Sequence, residues 1–299
     1  MTGVQTCALP ICIQYELLSN ARAYLALADL TPKPHPFPQE GRKQFTELRE
    51  AVERIDAHFR GLLEAKERQL RGADRDNLRR YAEANETQSP PTPGRVVFLG
   101  DSITDGWRLN EYFPGKDYVN RGIGGQVTGQ MLGRMLSDVA ANKPAAMVLL
   151  GGTNDISRGV APEAIQQNIT MMADLAEKYQ IKPVFAAILP IHDYNKDQNP
   201  AWEMSQRRPM ASIRAMNEWI KTFCTRRGYT YLDYFTPMLD DAGFLKKDLA
   251  EDGLHPNAAG YKIMAALVQS AIDRTLPGAT SPGGPAEKKR RRFFGVVGK

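Results

Sequence analysis

Apolar residues recur in two rhythms along this chain, and the rhythm changes near residue 95. Before that point Phe45, Leu48, Val52, Ile55, Phe59 and Leu62 step by three and four, a narrow stripe that predicts an amphipathic helix. Glu50/Arg54, Glu64/Arg68 and Glu67/Arg71 stand four apart on its outer side and support the same helix. The stripe needs a cover, either the chain's own main domain or a second copy in a homodimer. Few heptads are sustained, which is short for a coiled coil, and both arrangements, monomer and homodimer, stay open. Residues 13–30 predict an earlier helix, which the proline-rich run 31–38 stops.

Beyond residue 95 short apolar runs alternate with helical segments. Arg95–Gly100, Asp117–Asn120, Ala145–Gly151, Lys182–Leu189 and Tyr229–Leu232 predict five strands, and 126–141, 162–179, 206–227 and 257–275 predict helices. Strands alternating with helices imply a parallel sheet covered on both faces, a three-layer α/β/α domain. The expected plan is a leader of non-native origin at 1–12, an N-terminal helical extension at 13–88 and a linker at 89–94. The main domain occupies 95–276, with a disordered basic tail at 277–299.

Composition narrows the partners. With 299 residues, 42% hydrophobic and 24% charged, the chain is ordinary globular material. Its longest apolar run, Ala145–Leu150, is far too short to span a bilayer, so no transmembrane segment is expected. The formal charge of +5 sits in the tail, where residues 277–299 hold six Lys/Arg and one Glu. The remaining body balances at 33 basic and 33 acidic residues, so no nucleic-acid partner is expected of it. Cys7, Cys12 and Cys224 form neither a disulfide framework nor a zinc pattern, and only Cys224 lies in a core-like region. Residues 1–12 resemble translated sequencing-adaptor read-through. If a true signal peptide is missing with the original start, a secreted or periplasmic location is the expectation; localisation is otherwise open.

Open α/β sheets bind ligands at the carboxyl ends of their strands, and four such positions carry chemistry. Gly100-Asp101-Ser102-Ile103-Thr104 comes after the first strand and Asn120-Arg121-Gly122-Ile123-Gly124-Gly125 after the second. Gly151-Gly152-Thr153-Asn154-Asp155 comes after the third, and Asp252-Gly253-Leu254-His255-Pro256 precedes the last helix. A serine hydroxyl attacks a carbonyl only when an imidazole takes its proton, and the imidazole needs a carboxylate to hold its tautomer. Ser102, His255 and Asp252 supply those roles, with Asp101 and Gly100 supporting the turn. His35 and His58 lie in the proline run and the N-terminal helix, which leaves His192 as the internal rival. The developing oxyanion needs donors, and the backbone N–H groups of Ser102 and Gly125 and the side-chain amide of Asn154 suit that task. Taken singly, these blocks also read as a turn, a βα loop, a helix cap and a surface loop. Their conjunction along one rim is what points to acyl transfer.

Together the four blocks resemble those of the GDSL/SGNH hydrolases over roughly residues 95–275, with spacing similar to the branch of platelet-activating-factor acetylhydrolase-like and lysophospholipase-L1-like esterases. The resemblance implies a flavodoxin-like fold, Ser102 as nucleophile, Gly125 and Asn154 as oxyanion donors and the Asp252–His255 pair completing a triad, with no cofactor and no metal. Rival motifs fail on their residues. Gly122-Ile123-Gly124-Gly125-Gln126-Val127 has valine where a dinucleotide fingerprint needs its third glycine, and Gly100-x-Ser102-x-Thr104 lacks the last glycine of a nucleophile elbow. No His-Glu-x-x-His occurs.

The N-terminal helices, the polar and aromatic segment 191–208 and Trp107 are the candidates to wall the site, a simple surface loop being the other reading of 191–208. That lining suits a short acyl ester, such as an acetylated carbohydrate, better than a long acyl chain. A lysophospholipase- or thioesterase-type lipid acyl hydrolase is the alternative. From another class, a non-catalytic binding module with a basic surface-binding tail would also carry this fold.

Overall fold

The computed structural model describes residues 74–278 continuously, and before them helical positions 46–47, 49–55, 57, 61 and 72. It divides into two compact units, residues 1–75 and 76–299. In the first unit Val52 of the predicted stripe is buried, Ile55 is 48% exposed, and Glu50 and Arg54 pair at 3.7 Å as their spacing predicts. The helix predicted at 13–30, Phe45, Leu48, Phe59, Leu62, His35, His58, Cys7, Cys12 and the tail beyond 278 lie outside the described residues.

In the second unit five parallel strands form one sheet: β1 (Val96–Gly100), β2 (Tyr118–Gly122), β3 (Ala146–Leu150), β4 (Lys182–Ala186) and β5 (Thr230–Leu232). Their order, β2-β1-β3-β4-β5, is the flavodoxin-like one, with the chain reversing direction across the sheet between β1 and β3. Successive side chains of a strand point to opposite faces, and β1 divides accordingly. Val97 and Leu99 join one apolar cluster, Val96 and Phe98 the other.

Helices close both faces. The α-helices described in this unit are α1 (Ala82–Glu86), α2 (Ser102–Asp105), α3 (Leu109–Tyr112), α4 (Thr128–Gly133), α5 (Thr153–Ser157), α6 (Pro162–Lys178), α7 (Met210–Arg227) and α8 (Ala258–Thr275). Ile165, Ile169, Met172 and Ala176 of α6, with Ile213, Ile220 and Cys224 of α7, cover the first cluster. Met264, Val268 and Ile272 of α8, with Leu109 of α3, cover the second. The three- and four-residue steps on each helix are the reason one side of it is apolar enough to bury. Asn257 starts α8 by accepting from the N–H groups of Ala259 and Gly260.

Several expectations change. The helix predicted over 126–141 ends at Gly133 and continues as a π-helical turn, Met135–Val139, then a 3-10 turn, Ala140–Asn142. Arg134, fully buried at the break, donates to Asp138 Oδ2 at 3.1 Å, to Gln126 Oε1 at 2.6 Å and to the Gly100 carbonyl at 3.0 Å. Its polar partners, invisible to an apolar period, govern this stretch. Trp107 does not wall a site: it lies in the core, edge-on to Phe98 and stacked on Tyr261 at 5.4 Å. The compact unit also begins at Asp76, not after the proline-rich linker. Tyr81 donates to the Gly122 carbonyl at 2.5 Å, Asn85 bonds Asp138 and Arg121, and Arg95 reaches back to the Ser89 and Pro90 carbonyls.

Arg134 and Asp138 form an ion pair with both side chains fully buried. Removing one partner of such a pair strands the other charge, so Arg134→Met is expected to lower unfolding free energy by about 3–5 kcal/mol. Urea denaturation measures this, and a loss well below 1 kcal/mol would show that the pair is not holding the domain.

Candidate active site

Gly100 pairs with Gly122 on one side and with Leu150 on the other, so the ends of β1, β2 and β3 stop at one level. The loops leaving these three strands therefore meet at one rim. After β1 the chain folds straight back into α2. A Cβ on Gly100 would lie 2.1 Å from Thr104 Oγ1 and 2.8 Å from the Leu150 carbonyl, so this return requires glycine. Asp101 caps α2, its Oδ1 accepting from the Ile103 N–H at 3.0 Å, and this leaves Ser102 on the first turn.

Ser102 Oγ lies 2.8 Å from His255 Nε2, and His255 Nδ1 lies 2.5 Å from Asp252 Oδ2. A carboxylate only accepts, so the ring proton sits on Nδ1 and Nε2 is left to accept from the serine hydroxyl. The other oxygen of Asp252 accepts from the N–H groups of Leu254 and His255, at 2.9 and 2.8 Å. The Asp252-x-x-His255 spacing thus closes a turn on itself. Gly253 holds that turn at φ +80°, where a Cβ would strike the His192 carbonyl at 2.1 Å. Burial pushes the Asp252 carboxyl up, but the bonds from the His255 ring and the two backbone N–H groups outweigh it and hold it at about 2.

His192 does not compete for the serine. Its ring is fully buried, with Nε2 on the Ala250 carbonyl at 2.9 Å and Nδ1 accepting from the Tyr194 N–H at 3.1 Å. Its own N–H donates to the Gly253 carbonyl at 3.0 Å, so it braces the 252–255 turn from beneath.

Besides Ser102, the two other expected donors, Gly125 and Asn154, lie at the same rim. A Cβ on Gly124 would stand 3.8 Å from Ser102 Cβ, which puts the loop after β2 beside the serine. The Gly124 N–H donates to Asp105, and Gly125, at φ +75°, offers its carbonyl to Arg158 at 2.7 Å. Asn154, buried at the start of α5, donates through Nδ2 to the Gln126 carbonyl at 3.1 Å and so adjoins that loop. Next to it Asp155 accepts from both the N–H and the hydroxyl of Thr128, joining α5 to α4.

Arg134, Arg158 and Arg208 were not singled out by the sequence, and Asp155 only as the last residue of the third block. Asp155 and Arg208 bond residues distant in the chain and Arg158 a backbone carbonyl, pairings that no periodicity marks; Arg134 stands four residues from Asp138, but its bonds to Gln126 and the Gly100 carbonyl have no such spacing. Asp101 was singled out, and its environment is unusual. The side chain is fully buried and its Oδ2 has no hydrogen-bond partner. Burial pushes its carboxyl up to about 6, against the pull of the Ile103 N–H and of nearby His255.

Fold and rim together define an ester hydrolase of the α/β/α class. Residues 98–263, more than half of the chain, match the family model of the GDSL-like lipase/acylhydrolases, and the chain belongs to that family. It is 36% identical to Esterase TesA of Pseudomonas aeruginosa over 180 residues, covering 55% of this chain and 80% of that one. An uncharacterized lipoprotein, YqeF of Bacillus subtilis, is 30% identical over 122 residues, 33% of this chain; the match spans only 50% of the lipoprotein's length. Among solved structures, a GDSL-like lipase from Bacteroides thetaiotaomicron superposes with a TM-score of 0.59 at 32% identity, covering 67% of this chain and 98% of the other.

Because the folded value for Asp101 lies above the ordinary 3.8, the folded state holds a proton there, between pH 6 and 4, that the unfolded chain has released. Ionised Asp101 therefore costs stability above pH 6, by about 3 kcal/mol, and the cost fades as pH falls toward 4. Asp101→Asn is expected to be more stable than the parent at pH 8, with the advantage shrinking toward pH 4. Urea melts at both pH values test it, and an advantage independent of pH would refute the carboxylate as its source.

Proposed function

We propose that this chain hydrolyses short acyl esters through an acyl-serine intermediate, with acetylated carbohydrate as the substrate class. Ser102 Oγ attacks the ester carbonyl while His255 Nε2 takes its proton, and Asp252 stabilises the imidazolium that results. The N–H groups of Ser102 and Gly125 and the Asn154 amide receive the oxyanion. Collapse of the adduct breaks the ester bond, and the leaving alcohol takes the proton from His255. Water then attacks the acyl-serine with His255 as base, releasing the acid and restoring the hydroxyl.

The observation that carries this reading is the unbroken relay from Ser102 through His255 to Asp252, at 2.8 and 2.5 Å. Family membership supports ester hydrolysis independently. For the substrate, support comes from the segment 191–208, which lies against the 252–255 turn. Asn195 donates to the Glu251 carbonyl at 2.7 Å, and Tyr194 stacks on His192 with its ring partly exposed. A polar and aromatic wall of this kind favours a hydroxylated alcohol moiety over a long acyl chain.

Ser102→Ala is expected to abolish p-nitrophenyl acetate hydrolysis without changing the circular-dichroism spectrum, and a fluorophosphonate is expected to label Ser102 alone. Full turnover by that variant would end the serine reading. Asn154→Ala is expected to lower kcat by about 10²–10³. Acetyl esters are expected to turn over faster than decanoyl esters; the reverse order would move the assignment to a lipid acyl hydrolase.

A further inference from the structure

Arg208 closes the polar segment 191–208 and is only 6% exposed, an uncommon place for a guanidinium. Its hydrogen bonds run to the residues at the end of β3. Nε donates to Thr153 Oγ1 at 3.1 Å, Nη2 reaches Asn154 Oδ1 at 3.4 Å, and Nη1 faces Met204 Sδ at 3.8 Å.

We propose that Arg208 is a positioning residue that fixes which way the Asn154 amide points and so aims an Nδ2 hydrogen at the oxyanion. The proposal rests on the reading of Asn154 as an oxyanion donor. An amide has one accepting and one donating end, and the two look alike in shape. A guanidinium only donates, so the end facing Arg208 must be Oδ1. A backbone carbonyl only accepts, so the end facing Gln126 must be Nδ2. One Nδ2 hydrogen is spent on Gln126, and because the amide is planar, the direction of the second is then set. An amide turned the other way would put a carbonyl oxygen where negative charge develops, and the donor would become a source of repulsion.

The same segment holds the opposite side of the site. Its first residues brace the 252–255 turn, through His192 on Ala250 and Gly253 and through Asn195 on Glu251. Within the segment Asp193 accepts from the N–H groups of Met204 and Ser205 and bonds the Ser205 hydroxyl, so its two ends are tied together. Arg208 therefore reaches Asn154 from a support that also carries the proposed base.

The test is a double-mutant cycle on p-nitrophenyl acetate with thermal melts of each variant. Arg208→Met is expected to lower kcat roughly tenfold to a hundredfold, with KM unchanged within about twofold. Combined with Asn154→Ala it is expected to add nothing, because the group it orients is gone. Arg208→Lys keeps a cation but loses the fork, and is expected to melt near the parent while losing kcat in the same non-additive way. Losses that multiply in the double variant, a loss confined to KM, or full kcat in Arg208→Lys would each overturn the proposal. Full kcat in Asn154→Ala alone would instead remove the oxyanion reading beneath it.

Discussion

Register on the two sides of β1 governs both the core and the rim. Successive strand residues point to opposite faces, so a slip of one place in either ladder would exchange Val97 and Leu99 with Val96 and Phe98 and spoil both apolar clusters at once. The same slip would move a strand end by roughly 3.3 Å, more than the length of the Ser102–His255 contact. Burial on both faces therefore enforces, with many weak contacts, a placement that the polar groups at the rim are too few to enforce themselves. Packing and site geometry are here one requirement.

Against that apolar frame the rim concentrates buried charge. Arg134 and Arg208 are both nearly or wholly buried, as are Asp101, Asp138 and Asp155. Burial pushes the carboxyls of Asp101 and Asp155 up and the guanidinium groups of Arg134 and Arg208 down, the direction in which each charged form loses. Arg134 offsets the loss by pairing with Asp138, Asp155 by three bonds from Thr128, and Arg208 by reaching Thr153 and Asn154. Asp101 Oδ2 has no such offset. A local departure from what stability alone would select, placed one residue before the proposed nucleophile, is where function is expected to compete with folding.

The sheet was legible because β1 and β3 are buried on both faces and read as unbroken apolar runs. The predicted fourth strand ran on to Leu189, yet ladder pairing stops at Ala186. Residues 187–189 stay buried, and Asn217 replaces the neighbouring strand by bonding both the N–H and the carbonyl of Ile188. An apolar run reports burial and is silent on who supplies the hydrogen bonds. The same blindness hid the break at Arg134 and misplaced Trp107, whose ring was equally compatible with a wall and a core. Ser102, Asp252 and His255 were legible for the opposite reason. Their proposed roles depend on residue types held in short turns, and Asp252-x-x-His255 needs no knowledge of the tertiary fold to be a hydrogen-bonded unit. Arg208 depends entirely on that knowledge, since nothing local distinguishes it from Arg207 beside it.

The proposed two-step chemistry asks opposite things of the two sides of the serine, and the exposure pattern divides in the same way. The oxyanion side must exclude water, because a hydrogen bond to developing charge is worth most where the dielectric is low. Asn154, the proposed side-chain donor, is buried, and Arg208, itself buried, bonds its Oδ1. The base side must admit water, because the second step begins when His255 activates one against the acyl-serine. His255 is 44% exposed and Asp252 23%. An imidazole left so open has little packing to hold its ring in place. The Asp252 turn supplies the constraint instead, through one bond to the ring and two to the backbone that carries it. A carboxylate held at about 2 remains an acceptor throughout the range in which a serine hydrolase works, so the ring can stay wet and still be aimed.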